Sequence, residues 1–359
     1  MRALKNLVFL LLFFVPVLAF AAPEETKEDA PEFDVTGMIM HHIGDAYDFH
    51  IISFTNGRGE KVHVSLPLPV IIWHEGHLQI FMSSRFQGGA ALVAAGDDYL
   101  KLYHEKVYLT DAEGTIYYDD AHQVLNPKPL NLSITKNVAS MLLASLLLAM
   151  VFISVARVYA KRGGLSVPKG LQLAIEPVVL YIRDDIVGAQ IDKDKVNKFL
   201  PFLLTVFFFI WFNNMLGLIP FFPGGANMSG NISFTLTLAV FTFFATNLFG
   251  SRHYWKEILW PPGAPVYVKL FLIPIEFIGM FTKPFALMLR LFANITAGHI
   301  IVLSLTSIIF VLQSIYVAPL SVLLSLMIFS LEFLVALLQA YIFTLLSALF
   351  IGLAVNEHH

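Results

Sequence analysis

The chain contains no cysteine, which rules out disulfides, thiolate nucleophiles and thiolate-bound iron–sulfur centres. Charge is also scarce: Asp, Glu, Lys and Arg make up 14% of 359 residues, against 57% hydrophobic residues and 33 phenylalanines. That balance is too apolar for a water-soluble fold and belongs to a polytopic membrane protein. Residues 199–250 hold no formally charged side chain at all, and between Leu291 and Val355 there is one, Glu332. Basic residues form no long runs and the net charge is −3, so no nucleic-acid partner is expected. A nucleotide-binding G-x4-G-K-[ST] motif is absent too, so nucleotide chemistry is not expected on this chain.

Against that background the N-terminal third has its own texture. "MRALKNLVFLLLFFVPVLAFAAPEE" joins Arg2 and Lys5 to a short apolar run and an A-x-A site, the pattern of a signal peptide over residues 1–21. Residues 22–135 are then expected to form an exported β-rich domain. The runs "GEKVHVSLPLPVIIW", "HLQIFMSSRF", "YLKLYHEKVYLTD" and "GTIYYDD" are β-branched and aromatic, and Gly, Asp and Asn punctuate them. Eight of the twelve histidines fall here, among them His41, His42, His50, His63, His74 and His77. His74-x-x-His77 could bracket one ion, but the spacing fixes no third ligand, so these histidines read as exposed side chains and no metal or cofactor is expected.

From residue 136 to 359 the logic is that of a membrane domain. An uncharged span over 138–156 leads into a loop with Arg157, Lys161, Arg162, Lys169, Arg183, Lys193, Lys195 and Lys198, which the positive-inside rule makes cytoplasmic. Within that loop "GLQLAIEPVVLYIRDDIVG" carries Glu176, Arg183 and Asp184 and is expected to lie on the inner surface as an amphipathic helix. Residues 199–250 read as two spans joined by an outward turn at "PFFPGGANMSGN". A second hairpin, 265–356, turns near "QSIYVAPLS", where Pro319 suits the first turn of a helix. Its arms of about 40 residues are each about 60 Å long, twice a bilayer core, so they must tilt or break. The expected fold is an all-α polytopic membrane protein with about five crossing helices, one interfacial helix, and a small β-rich exported domain ahead of them.

The polar residues of the last hairpin form a pattern. Glu276, Lys283 and Arg290 recur every seven residues on one stripe, and Asn294 stands one turn beyond Arg290. Glu332 and Gln339 are also seven apart. Folding the chain so that Arg290 meets Gln339 centres the turn between residues 314 and 315, and pairing His299 with Glu332 centres it between 315 and 316. Two pairs therefore share one turn and one seam. An arginine at bilayer depth costs about 2.5–3.5 kcal/mol or more and cannot shed its charge, whereas a carboxyl or imidazole can. A permanent cation beside two titratable groups suits proton transfer better than helix gluing.

"KPFALMLRLFANITAGHI" with "SLEFLVALLQAYIFTLL" resembles subunit a of the F-type ATP synthase membrane sector, and "FIWFNNMLGLIP" and "NISFTLTLA" resemble that family's preceding transmembrane pair. The resemblance covers about 138–356. It implies that Arg290 faces the essential carboxylate of a rotating c-ring, and that Asn294, His299, Glu332 and Gln339 occupy the family's proton-pathway positions. It further implies an entry half-channel past His299 and Glu332, an exit near Glu276 and Lys283, and assembly with c-ring subunits, a subunit b stator and the remaining F1Fo subunits. Transport of H⁺ fits this scheme, and Na⁺ is compatible with it, in the inner membrane of a Gram-negative cell with the N-terminal domain periplasmic and the C-terminus cytoplasmic. Ala293 departs from the family's usual glycine, and the exported domain exceeds its usual N-terminus. A secondary transporter would show two similar halves, and no internal repeat is present. A membrane hydrolase would need a paired nucleophile and base, and the serines near the seam have none.

Overall fold

The structure is a computed structural model that describes residues 35–55, 61–162, 167–219, 224–263, 265–312 and 314–356. The signal-peptide segment 1–21 and the side chains of His41, His42, His50 and His63 lie outside the described residues.

A short helix, α1 (Val35–Ile43), precedes eight strands: β1 (Asp48–Thr55), β2 (Lys61–Pro67), β3 (Pro69–His74), β4 (His77–Met82), β5 (Val93–Ala95), β6 (Asp98–Tyr103), β7 (Lys106–Thr110) and β8 (Leu130–Asn131). They form an antiparallel pair β1-β2 and two three-stranded sheets, ordered β4-β3-β8 and β5-β6-β7. Alternation explains the register: Val70 and Ile72 point into a small core with Phe81, Phe86, Leu100 and Val107, while Trp73, Leu78 and Ile80 stay exposed. The expected strand in "GTIYYDD" does not form beyond a single bridge, Tyr118 to Val124. Local turn chemistry wins there. Asp111 Oδ1 accepts from Thr115 N at 2.8 Å, and Asp119 Oδ1 accepts from the amides of Ala121 and Gln123, at 3.0 and 2.6 Å.

The strands meet the helices at a clamp. Asp45 accepts from Asn137 N and from Thr135 Oγ1, both at 3.0 Å, and so satisfies an amide in the first turn of the next helix. Burial pushes the Asp45 carboxyl above its ordinary value, against the opposing pull of the Asn137 amide. Side by side with this, Leu132 N and Ile134 N donate to Ile71 O and Pro69 O, extending β3's pairing to the edge of the helix.

The helices are α2 (Lys136–Arg162), α3 (Leu171–Tyr181), α4 (Lys193–Leu218), α5 (Ile232–Leu248), α6 (Arg252–Leu259), α7 (Val266–Val311) and α8 (Ala318–Val355). Four of them, α2, α4, α7 and α8, are long and apolar enough to cross a membrane, and α5 with α6, bent by 101°, makes a fifth candidate. The chain is thus a polytopic helical membrane protein with a β-rich N-terminal part. Helix α3 continues through a π-helical turn, Ile182–Val187, and is not one of the spans. One of its faces is more deeply engaged than a surface helix requires: Ile175, Ile182, Ile186 and Val187 join the main core with Phe207, Phe208, Leu287 and Phe343. The 46 residues of α7 extend about 69 Å, and the 38 of α8 about 57 Å. Both exceed a bilayer core of about 30 Å roughly twofold. Pro319 stands in the first turn of α8, as its fixed φ and missing N–H favour.

The C-terminal end of α8 is tied down by polar contacts. Asn356 donates to Gln190 O at 3.0 Å and accepts from Asp192 N at 3.1 Å, while Lys195 Nζ and Ser251 N donate to the carbonyls of Val355 and Ala354, at 2.6 and 2.8 Å. Those are end-of-helix carbonyls that have no partner within the helix. Gly352 lets this approach occur, since a Cβ there would sit 2.1 Å from Gln190 O.

A seam of polar side chains in the α7–α8 hairpin

Helices α7 and α8 fold back on each other, and two contacts read out their register. Ser321 Oγ donates to Leu305 O, eight residues either side of position 313. A Cβ on Gly298 would lie 2.2 Å from Glu332 Oε1, and these residues stand seventeen either side of 315. The register expected from the polar pairs is therefore the one observed, within one turn of helix.

Glu332 is buried at 9% exposure, and among the described residues its Oε1 has no hydrogen-bond partner. It packs against Gly298, the residue next to half-buried His299. Gly298 is a site residue that the polar pattern alone does not reveal. Its signal in the sequence was the small residue beside His299 in "TAGHI", where the bulk of any side chain would occupy the space of the carboxyl.

Gln339 is buried at 2% exposure. Arg290, expected to meet it, is instead exposed, and among the described residues it makes no hydrogen bond, ion pair or ring contact. The reason lies in how α7 is rotated. Leu287, Met288 and Leu291 turn into the core and leave Arg290 and Asn294 on the open side with Lys283 and Glu276. The seven-residue stripe is thus real and its side chains are exposed, while Lys283 within it lies over the Phe350 ring of α8, 5.8 Å from the centroid.

Toward the start of α7 the structure opens. Glu276 and Lys283 line a cavity of about 340 Å³ together with Tyr254, Glu257 and Leu353. Lys283 and Tyr254 also border a smaller cavity of about 20 Å³ lined by Thr242, Thr246 and Asn247. Polar contacts continue inward from there: Tyr254 Oη donates to Asn247 Oδ1 at 3.0 Å, and Thr242 Oγ1 and Ser347 Oγ, both buried, are 3.2 Å apart. These hydroxyls are further site candidates, hidden in the sequence because serine and threonine are common hydrogen-bonders in transmembrane helices. Asn214 of α4, buried, accepts from Ser229 Oγ in the α4–α5 turn and donates to Ala336 O of α8 at 3.5 Å, and so ties that turn to the hairpin.

Along α7, Glu276 and His299 are about 35 Å apart, close to the thickness of a bilayer core. Chemically, this is a row of titratable groups at two levels, with Arg290, a permanent cation that makes no ion pair among the described residues, between them.

Comparison with known proteins agrees with this architecture. The family model described as ATP synthase A chain matches residues 138–352, and a family described as Domain of unknown function (DUF8433) matches residues 38–132. ATP synthase subunit a of Chloroherpeton thalassium is 45% identical over 233 residues, 64% of this chain and 69% of that one. ATP synthase subunit a 2 of Prosthecochloris aestuarii is 48% identical over 236 residues, covering 64% and 71%. ATP synthase subunit a of an Anaeromyxobacter species is 34% identical over 333 residues, 89% of this chain and 71% of that one, so that likeness reaches into the β-rich part. With a family match over more than half its length and a hairpin that carries its polar groups in one register, the chain belongs to the ATP synthase subunit a family.

Proposed function

We propose that this chain is the ion-translocating stator subunit of an F-type ATP synthase membrane sector, and that the outer face of α7 and α8 is where a ring of c subunits turns. The observation that carries the reading is Arg290: a permanent charge, exposed and unpaired among the described residues, within a helix long and apolar enough to cross a membrane. Intramembrane ions of this kind are costly and find a partner, and no partner for this one lies in the chain's own described residues. A carboxylate moving past on a neighbouring ring supplies it.

Protons enter past His299 and Glu332, reach the ring carboxyl, travel round with the ring, and leave through the Glu276–Lys283 cavity. Asn294 and Gln339 flank the transfer point by hydrogen bonding. Arg290 keeps the ring carboxyl ionised as it passes and blocks a direct leak between the two half-channels. Its guanidinium does so better than an ammonium, which can lose its proton in lipid. The chain sits in the bacterial inner membrane beside a subunit b stator, with residues 22–135 periplasmic after signal-peptide removal and the C-terminus cytoplasmic. The basic loop 157–198 supports that orientation. ATP chemistry belongs to the soluble subunits of the complex.

Replacing Arg290 with alanine tests the reading. The variant inserts and assembles, and ATP-driven acidification of inverted vesicles falls to background. Normal pumping by a fully assembled Arg290→Ala complex would overturn the assignment.

A further inference from the structure

A second cluster of chemistry-bearing residues stands far from the hairpin, in the β-rich part. His74 ends β3, Glu75 begins the two-residue turn to β4, and Asp98 begins β6 in the other three-stranded sheet. Ligand atoms of all three lie within 4.8 Å of one another, and His74 Nε2 is 3.0 Å from Asp98 Oδ2. Glu75 also reaches the β5–β6 turn: a Cβ on Gly96 would meet its Oε2 at 3.9 Å. The two sheets thus bring an imidazole and two carboxylates to one point.

Apart from the His74–Asp98 contact, the local negative charge has no cationic partner among the described residues. Among the described residues no lysine or arginine forms an ion pair with Glu75, Asp97 or Asp98. Lys101, on the same strand as Asp98, instead donates to Gly114 O at 2.6 Å. Donors bound to one tetrahedral ion at 2.0–2.1 Å are separated by about 3.3 Å, close to the 3.0 Å between His74 and Asp98. His77 pairs directly opposite His74 across the turn, so it rises from the same face with its Cβ about 4.5–5.5 Å away. Its ring is not among the atoms already gathered there, but its backbone position puts it within reach of the cluster as a fourth ligand.

From this geometry we infer that His74, Glu75 and Asp98, completed by His77, form a site for a divalent transition metal of the Zn²⁺ class, which clips the β4-β3-β8 sheet to the β5-β6-β7 sheet. Mixed imidazole and carboxylate donors select borderline ions over Mg²⁺ or Ca²⁺, which prefer oxygen alone. The device also fits the segment's needs. Its core is small and the chain has no cysteine, so a metal supplies the cross-link that other small extracytoplasmic domains obtain from disulfides. Spacing alone does not reveal the site because Asp98 lies 24 residues from His74, in another sheet.

The test uses the full chain in detergent, without a polyhistidine tag, stripped with EDTA and titrated with Zn²⁺ alone. One ion binds per chain, measured by calorimetry and by metal content after gel filtration, and amide exchange slows at residues 74–77 and 95–98. Glu75→Gln, a shape-preserving change at an exposed side chain, weakens binding about tenfold or more, and His74→Ala with Asp98→Asn abolishes it. No saturable binding by the unaltered chain would overturn the inference. So would binding that survives these substitutions but disappears when the terminal His358 and His359 are removed.

Discussion

The α7–α8 hairpin and the β-rich segment solve opposite problems with the same chemistry. In the β-rich segment apolar side chains alternate, Val70 and Ile72 in and Trp73 out, and polar groups satisfy one another through turns such as that of Asp119. In the hairpin nearly every residue is apolar, including those on the outside: Leu323, Leu326, Phe333 and Leu334 are all exposed. An apolar exterior of that extent is stable only against lipid or another subunit. Polarity there is confined to a few positions, and each must be accounted for individually. Where water is the solvent, a polar residue needs little justification. Where lipid is, Arg290, Glu332 and Gln339 stand out from the sequence because they are so few.

The largest expected effect that sharpens this contrast concerns His299 and Glu332. Removing either one alone slows proton transport per assembled complex by about tenfold or more and shifts its pH dependence, because a buried polar group loses its intended neighbour. Exchanging them, His299→Glu with Glu332→His, returns much of the rate. A double-mutant cycle over a pH series reads the coupling as a non-additive term, and strictly additive losses would show that the two do not act together.

Gly298→Ala is expected to be milder in rate and milder still in stability. The new methyl group meets the end of the Glu332 side chain, with Oε1 at 2.2 Å and Cγ at 3.1 Å, so the carboxyl swings aside at modest cost. Transport falls several-fold while thermal stability in detergent changes by about 1 kcal/mol or less. An unfolded variant, or one with an unaltered rate, would break the link between this close approach and the pathway.

On the other side of the comparison, Asp45→Ala removes the cap on α2. The helix start loses about 1 kcal/mol, read as faster amide exchange at residues 137–139, with no change in pumping. A pumping defect at normal assembly would mean that the β-rich segment reaches the ion path through α2. The smallest effect is expected from deleting residues 36–132 while retaining the leader: transport per assembled complex is unchanged, whatever happens to the yield of complexes. Loss of pumping by normally assembled complexes would remove the functional separation between the two regions.

Much of the hairpin was legible before any coordinates. A span needs an apolar run about 30 Å long, a helix repeats its faces every seven residues, and an ion in lipid is too costly to be incidental. Those three rules yield the spans, the stripe Glu276–Lys283–Arg290, and a turn near residue 315. In the β-rich segment the same reasoning located most strands but assigned one to "GTIYYDD", because Asp111 and Asp119 serve their neighbours' amides in a way that strand propensity does not register.

The sequence by itself therefore determined the class of solvent, the approximate number of crossings, and which few polar residues had to matter, since each follows from local composition and helical period. Only the tertiary structure decided which way those residues face. Arg290 turns outward while Gln339 is buried, because Leu287 and Leu291 claim the core side of α7, and helix rotation depends on neighbours that no local pattern encodes. The same holds for Gly298 against Glu332, for the Glu276–Lys283 cavity, and for Asp98 beside His74: each is a meeting of residues distant in the chain, set by packing.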